Sequence, residues 1–197
     1  NSPFARREAR RFVTELGRLK GTYVKIGQMF ALLGEHFLPP VLTEALHELA
    51  SGTEPLPWES VELTLKTSLR ARYKELDIER EAIAAASLAQ VHRATIVESG
   101  EQICLKIQYP DLSDVIDADF DIVVRMLMLA RWVRAGRELD EWLESMREQL
   151  HLEIDYQREA QMTALMAELL MPCNEARNKR RVRYGVPQIF PRYCSGE

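Results

Sequence analysis

Apolar residues recur at intervals of three and four along residues 4–33, which predicts one long amphipathic helix. Its periodic positions are Leu16, Leu19, Tyr23, Ile26, Phe30 and Leu33. Gly17, Gly21 and Gly27 lie inside this pattern, although each costs a helix ~1 kcal/mol relative to alanine. Glycines kept at that cost indicate that another backbone comes close to this helix.

The pattern changes to a two-residue period near the middle of the chain. Residues 83–97 and 103–108 are β-rich and are separated by Glu98-Ser99-Gly100-Glu101, which predicts a hairpin with a tight turn. In the second strand one face carries Ile103, Leu105 and Ile107, and the other carries Cys104, Lys106 and Gln108. Further helices are predicted at 41–50, 58–68, 113–133 and 140–170, and a last strand at 186–194. The expected fold class is therefore α+β.

Composition narrows the class of protein. The chain has 197 residues, of which 46% are hydrophobic and 28% charged, as in soluble globular domains. A net charge of −4 gives no reason to expect nucleic-acid binding, and three widely spaced cysteines argue against a disulfide framework or a zinc site. No apolar run reaches the ~18 residues of a membrane span. The chain starts at Asn1 rather than Met, so we expect a segment of a longer protein.

Lys106 is the first candidate for chemistry. A lysine on a strand with an apolar opposite face is often an edge residue that reaches solvent, but its context favours a phosphate ligand. Small side chains in the preceding segment would let backbone N–H groups approach phosphate oxygens. That segment, the alanine loop, comprises Ala84, Ala85, Ala86, Ser87, Leu88, Ala89 and Gln90.

A phosphate-binding lysine needs a carboxylate that orients it and keeps it charged. The predicted helix at 140–170 supplies the candidates Glu148, Glu153 and Asp155, and the sequence leaves open whether Glu148 or Glu153 pairs with Lys106. A solvated acidic face is the alternative for these residues. On the first helix, Lys25 and Gln28 project together beside Gly27, which permits a close approach.

Together these segments resemble the UbiB family of atypical protein-kinase-like proteins, also called the AarF or ADCK type. The resemblance is carried by Lys-x-Gly-Gln, Ala-Ala-Ala-Ser-Leu-Ala-Gln-Val-His, Leu-Lys-Ile-Gln-Tyr-Pro and Glu-x-Asp-Tyr-x-x-Glu, in that order, across most of the chain. It implies a kinase-like small lobe (N-lobe), with an antiparallel sheet and long helices, over residues 58–197. Residues 1–57 would be an N-terminal helical extension, and the large lobe (C-lobe) would lie outside this chain.

The same resemblance implies roles for individual residues. Lys25, Gly27 and Gln28 would form the motif that covers the mouth of the nucleotide site, and the alanine loop would replace the glycine-rich loop of ordinary kinases. Lys106 would contact the α and β phosphates, while Glu153 and Asp155 would engage the extension. Because alanine avoids positive φ, we expect the loop to be stiff and to disfavour phosphorylation of protein substrates.

The resemblance further implies a function. The whole protein would be an atypical kinase or ATPase that binds ATP with Mg²⁺ and supports ubiquinone biosynthesis, with quinone-biosynthesis enzymes and lipid as candidate partners. It would be a peripheral membrane protein at the cytoplasmic face, and this segment alone would be inactive because its catalytic and metal-binding residues would lie elsewhere. The alternative is a non-catalytic nucleotide- or lipid-binding scaffold.

Three other patterns are interpreted as structural. Asp119-Phe120-Asp121 imitates a magnesium-binding kinase motif, but it follows Lys106 too closely and falls in a helical pattern. Glu-x-x-His occurs at Glu44 and at Glu148, a spacing known from di-iron bundles, although a hairpin has no place in such a bundle. A basic run at 177–183 is expected to be a solvated loop, with anionic lipid as a lesser alternative.

Overall fold

The structure, a computed structural model, describes residues 2–49, 54–133, 136–175 and 184–195. The helices are α1 Pro3–Leu19, α2 Gly21–Leu33, α3 Pro40–Leu46, α4 Trp58–Leu69, α5 Leu112–Leu129, α6 Arg137–Ile154 and α7 Tyr156–Glu175. The strands are β1 Leu76–Ala85, β2 Ala89–Ile96 and β3 Gln102–Gln108, and short 3-10 turns occupy Arg70–Glu75 and Pro191–Tyr193. The predicted α+β class is confirmed.

The single helix predicted over residues 4–33 is wrong. The chain turns between α1 and α2, where Lys20 and Gly21 both adopt left-handed backbone angles, with φ of 59° and 53°. This turn lets both helices pack against α3. At Gly27 the close neighbours are the side chains of Leu16 and Leu49, which a Cβ would meet at 2.8 and 2.4 Å. The glycine therefore serves packing between helices, as expected, but side chains fill the space.

One hydrophobic core joins the N-terminal helices to α5 and α6. Its fully buried members include Leu16, Ile26, Phe30, Phe120 and Met146. Phe30 stacks on Phe120 with ring centroids 6.0 Å apart. This core crosses the predicted boundary at residue 57, because later helices complete the burial of the extension.

A second core lies between α4 and the sheet. The sheet order is β1-β2-β3 and both pairings are antiparallel. The predicted hairpin is confirmed as β2 and β3, whereas β1 was not predicted, because its charged middle residues obscure the alternation. Register shifts between Ile78 and Ala84 mark β1 as a bulged strand. Val61, Leu65 and Leu69 of α4 pack against the apolar face of β3.

Two further predicted elements differ from the structure. The helix expected at 140–170 is divided at Asp155, whose φ and ψ of −83° and 83° end α6. The strand expected at 186–194 is instead an extended segment followed by a 3-10 turn. Phe190 and Tyr193 of that segment pack on the second core, and Arg192 holds Glu75 with nitrogen–oxygen distances of 2.9 and 2.7 Å.

Candidate functional site

Lys106 lies on the face of β3 opposite α4. Ile103, Leu105 and Ile107 are at most 8% exposed on the α4 side, as their alternation predicts. The Lys106 side chain is 45% exposed on the other side. The strand therefore places one cation beside solvent while its neighbours hold the strand in the core.

The carboxylate on Lys106 belongs to Glu159. The distance from Lys106 Nζ to Glu159 Oε2 is 2.5 Å, and the same ammonium lies 4.4 Å from the centre of the Tyr156 ring. Both partners lie in the first turn of α7. The structure thus differs from the prediction that Glu148 or Glu153 would pair with Lys106: Glu148 is exposed on α6, and Glu153 has another cation.

The division of the helix at Asp155 explains this choice of carboxylate. The Asp155 carboxylate accepts the backbone N–H of Arg158 at 2.9 Å, so it caps the start of α7. The amide of Gln108, at the end of β3, donates to the carbonyl of Ile154 at 3.1 Å. These bonds start a new helix beside Lys106 and aim its first turn at the lysine. A continuous helix, as predicted from periodicity, would have set Glu159 on a different face.

Lys25 of α2 is the cation that Glu153 binds. Their nitrogen–oxygen distance is 2.8 Å, and the Lys25 side chain is only 21% exposed. Gln28 lies half-buried one turn further along α2, and Gly27 is buried between them. Glu153 and Glu159 therefore flank the Asp155 cap, one bound to the N-terminal helices and the other to the sheet.

Asp119 of α5 provides a second attachment for α2, one that the sequence did not reveal. It accepts a hydrogen bond from the Thr22 hydroxyl, and the hydrogen bond to Asp119 raises the pKa of Tyr23 to about 12. Asp119-Phe120-Asp121 lies within α5, which confirms the helical placement predicted for it. Only the packing of α2 on α5 shows that Asp119 holds the helix carrying Lys25.

The alanine loop forms the connection between β1 and β2. Ala84 and Ala85 end β1, and the turn is closed by a 2.7 Å bond from the Ala86 N–H to the Ala89 carbonyl. The Leu88 carbonyl accepts the Tyr109 N–H at 3.0 Å. The described non-glycine residues with positive φ are Lys20, Arg70, Asp111 and Arg131, so the loop needs no left-handed residue. Its alanines are therefore compatible with its conformation, and the stiffness expected of an alanine loop stays a prediction.

Gln90 stands apart from the rest of the predicted loop. In the ladder Gln90 pairs with Ile107, and Val91 pairs with Lys106. Since strand side chains alternate, the Gln90 side chain lies on the α4 side of the sheet, where it is 1% exposed. Its side chain therefore does not share the face of Lys106.

A cavity of about 860 Å³ opens beside the Lys106–Glu159 pair. It is bounded by β3, the C-terminal half of α4, residues 109–114, the junction of α6 and α7 and the segment 188–195, while residues 84–90 lie outside its lining. Tyr109 contributes a hydroxyl that is buried without a hydrogen-bond partner among the described atoms, and burial raises its pKa. The size suits a nucleotide-sized ligand, and the cation and open hydroxyl suit a phosphate or polar group.

The described residues do not form a metal site. Within the described ranges no group of three or more His, Cys, Asp or Glu side chains could hold a metal ion. The two Glu-x-x-His pairs therefore do not converge, and His151 lies 3.1 Å from Asp117 instead. The basic run at 177–183 falls outside the described residues. In the part of the chain that the structure covers, no helix is both long and apolar enough to cross a membrane.

The sheet is antiparallel, and its third strand places a lysine against a carboxylate from a helix. This arrangement is that of the small lobe of a kinase-like protein. Comparison with known proteins agrees: the ABC1 atypical kinase-like domain matches residues 48–197. The chain therefore belongs to the ABC1 atypical-kinase family, the UbiB group that its motifs resemble.

Several relatives carry kinase names. The atypical kinase COQ8, mitochondrial, of Saccharomyces cerevisiae is 30% identical over 94% of this chain and 36% of its own length. The COQ8 protein of Schizosaccharomyces pombe is 29% identical over 93% of this chain and 29% of its own length. AarF domain-containing protein kinase 1 of Xenopus laevis is 29% identical over 77% of this chain and 29% of its own length. The chain thus spans about a third of the curated relatives that it matches.

Proposed function

We propose that this chain forms the nucleotide-binding small lobe of an atypical kinase or ATPase, with Lys106 as the phosphate ligand. The observation that supports the proposal is the Lys106–Glu159 ion pair in the wall of a cavity. A positioned lysine and its helical carboxylate are recurrent parts of phosphoryl-transfer sites, because the pair keeps the ammonium charged and aimed at phosphate oxygens.

The exposure of the pair suits an exchange of partners. Glu159 is 50% exposed and Lys106 is 45% exposed, so water already screens their attraction. A phosphate group can therefore replace or share the carboxylate without burying an uncompensated charge. The Tyr156 ring beneath the ammonium limits where the lysine can move.

We further propose that α2 controls access to this site. Lys25 binds Glu153, which lies only six residues before Glu159, and Asp119 holds the preceding turn of α2. A shift of α2 would therefore displace residues 153–159, the acidic segment that supplies the carboxylate partner of Lys106. Lys25, Gly27 and Gln28 would act as the covering motif, and Asp155 would act through its cap on α7.

Family membership supports a proposal about the wider function. We propose that the whole protein binds ATP with Mg²⁺, with metal ligands supplied outside the described residues. Its role would be in ubiquinone biosynthesis at a membrane surface, with quinone-biosynthesis enzymes and lipid as partners. The family resemblance supports this part of the proposal.

The test measures MgATP binding and hydrolysis by the full-length protein, with and without lipid vesicles. Lys106→Met should weaken binding at least tenfold, because one charged contact to phosphate contributes about 1.5–3 kcal/mol. Lys74→Met, at an exposed lysine in the 3-10 turn before β1, removes the same charge and should leave binding unchanged.

Equal affinities of the two variants would overturn the role of Lys106. Nucleotide binding that depends on Lys106 but is never followed by hydrolysis, with any lipid, would favour the non-catalytic scaffold.

A further inference from the structure

The Gln90 and His92 side chains form a buried hydrogen-bonded chain on the side of the sheet away from Lys106. Their side chains are 1% and 0% exposed, the least exposed polar groups among the described residues. Neither lines the cavity beside Lys106, and both side chains lie on the face of the sheet opposite that lysine. Buried polar groups of this kind persist when every donor and acceptor is matched.

The first set of matched hydrogen bonds joins Gln90 to the segment that precedes α4. Leu56 lies between Pro55 and Pro57, so it supplies the only backbone N–H of that tripeptide. The Leu56 N–H donates to Gln90 Oε1 at 2.8 Å, and Gln90 Nε2 donates to the Leu56 carbonyl at 3.3 Å. The side-chain amide thus pairs with both backbone groups of Leu56, as a neighbouring strand would.

The second set of matched hydrogen bonds joins His92 to the bulged strand β1 and to Gln90. His92 Nδ1 lies 2.8 Å from the carbonyl of Glu79, which can only accept, so Nδ1 carries the proton. The other ring nitrogen then accepts from Gln90 Nε2 at 2.8 Å. Glu79 falls in the register shift between Ile78 and Ala82, where the regular ladder is interrupted. The imidazole therefore satisfies a carbonyl in the bulged part of β1.

We infer that Gln90 and His92 are positioning residues that clamp the α4 entry segment and bulged β1 together and so set the position of the alanine loop. The loop lies between these attachments: it begins at Ala84, five residues after Glu79, and it ends at Gln90, the second residue of β2. The Trp58 ring closes the clamp from α4, with its centroid 5.3 Å from that of His92.

This inference deepens the proposed function, and it rests on that proposal only for its effect on nucleotide. It also links the site to residues 54–57, which directly precede α4. Movement of that segment would be transmitted to the alanine loop through the Gln90 amide rather than through the Lys106 face.

The test compares Gln90→Met with Gln102→Met, which removes the same amide from an exposed position at the start of β3. Amide hydrogen exchange is followed at Leu56 for the clamp and at Ala86 for the loop. Gln90→Met should accelerate exchange at Leu56 about tenfold or more and at Ala86 severalfold, because buried partners lose their hydrogen bonds. Exchange at Val123, buried in α5, reports any global destabilisation, so the clamp is supported when Leu56 and Ala86 accelerate more than Val123 does.

A second uncharged variant guards against an effect peculiar to one side chain. Gln90→Leu removes the same hydrogen bonds, so its exchange rates at Leu56 and Ala86 should rise as those of Gln90→Met do. Unchanged exchange at Leu56 in both variants would show that no clamp exists. Faster exchange at Leu56 with wild-type exchange at Ala86 would show that the clamp does not position the loop.

The nucleotide measurement separates this inference from the function on which it builds. In full-length protein that binds MgATP, Gln90→Met should weaken binding severalfold while Gln102→Met does not, and equal affinities would refute transmission to the site. If even the wild type binds no nucleotide but the exchange pattern holds, the proposed function fails and the positioning role stands.

Discussion

The two faces of the β2–β3 hairpin place polar side chains in different environments. The open face is the one that carries Lys106, and the closed face is the one that packs towards α4. On the open face, Lys106 and Arg93 are about half exposed and meet carboxylates of Glu159 and Glu79. On the closed face, His92 is fully buried and its ring bonds to the Gln90 amide and the Glu79 carbonyl. Residues that alternate along one strand therefore serve two different kinds of interaction.

Glu79 shows the contrast within one residue. Its carboxylate lies 3.7 Å from Arg93 on the open face, and its carbonyl accepts from His92 on the closed face. The first contact is screened by water and contributes little, whereas loss of the second leaves a buried acceptor unpaired. Charge at the open face remains available for a ligand, while the closed face holds the backbone in place.

The largest effect is expected at His92. His92→Leu leaves the Glu79 carbonyl and a Gln90 donor buried without partners, which should lower the free energy of unfolding by about 3 kcal/mol. Arg93→Leu, the neighbouring residue on the other face, should change it by less than about 1 kcal/mol. Urea unfolding of both variants measures the difference, and similar losses would contradict the contrast between the faces.

An intermediate loss of stability is expected at Asp119, because its partly buried carboxylate accepts hydrogen bonds from two hydroxyl groups. Asp119→Asn should destabilise the protein by about 1 kcal/mol and return the pKa of Tyr23 from about 12 towards its ordinary value of 10.0. Because folding raises this pKa, the contribution is complete below pH 10.0 and is lost as the pH rises through about 12. Ultraviolet titration of Tyr23, assigned with Tyr23→Phe, checks the shift; an unchanged pKa in Asp119→Asn would refute the cause.

A smaller effect is expected for the pair that joins α2 to α6. A double-mutant cycle with Lys25→Met and Glu153→Gln should give a coupling of about 0.5–1 kcal/mol, since Lys25 is only 21% exposed. The matched pair Lys20 and Glu54, 63% and 89% exposed, should give a coupling close to zero. Chemical unfolding supplies both values, and equal couplings would show that burial of Lys25 adds nothing.

The smallest effect on stability is expected at the proposed phosphate ligand. Lys106→Met should change the free energy of unfolding by no more than about 0.5 kcal/mol, because the broken ion pair is half exposed and leaves Glu159 in water. Thermal and urea unfolding measure it in the absence of nucleotide. A loss above about 2 kcal/mol would mean that Lys106 is a structural residue rather than an open ligand.

The sequence predicted the features that depend on local periodicity. The alternation in β3 placed Lys106 opposite an apolar face, and the turn at 98–101 predicted the hairpin that is confirmed. Breaks between helices were not predictable in this way. Neither the turn at Lys20 nor the cap at Asp155 interrupts the apolar pattern, so both regions were interpreted as single helices.

The partners of the site residues were the least predictable part. Glu159 was one of several acids on a predicted helix, and only the new helix start at Asp155 aims it at Lys106. Asp119 belongs to a pattern that only imitates a magnesium-binding motif, so its partners on α2 were not predicted, and β1 was missed because charged residues fill its bulge. These outcomes depend on which elements pack together, and a one-dimensional pattern does not contain that information.

The sequence by itself determined the α+β class, the family, the strand that carries Lys106 and the segments that surround it, because periodicity and short motifs are properties of neighbouring residues. Only the tertiary structure decided that Lys106 meets Glu159, that Lys25 meets Glu153, and that the Gln90 side chain is buried on the face opposite Lys106. Ion pairs and buried hydrogen bonds act over a few ångströms, so they form between residues that the fold brings together from distant parts of the chain.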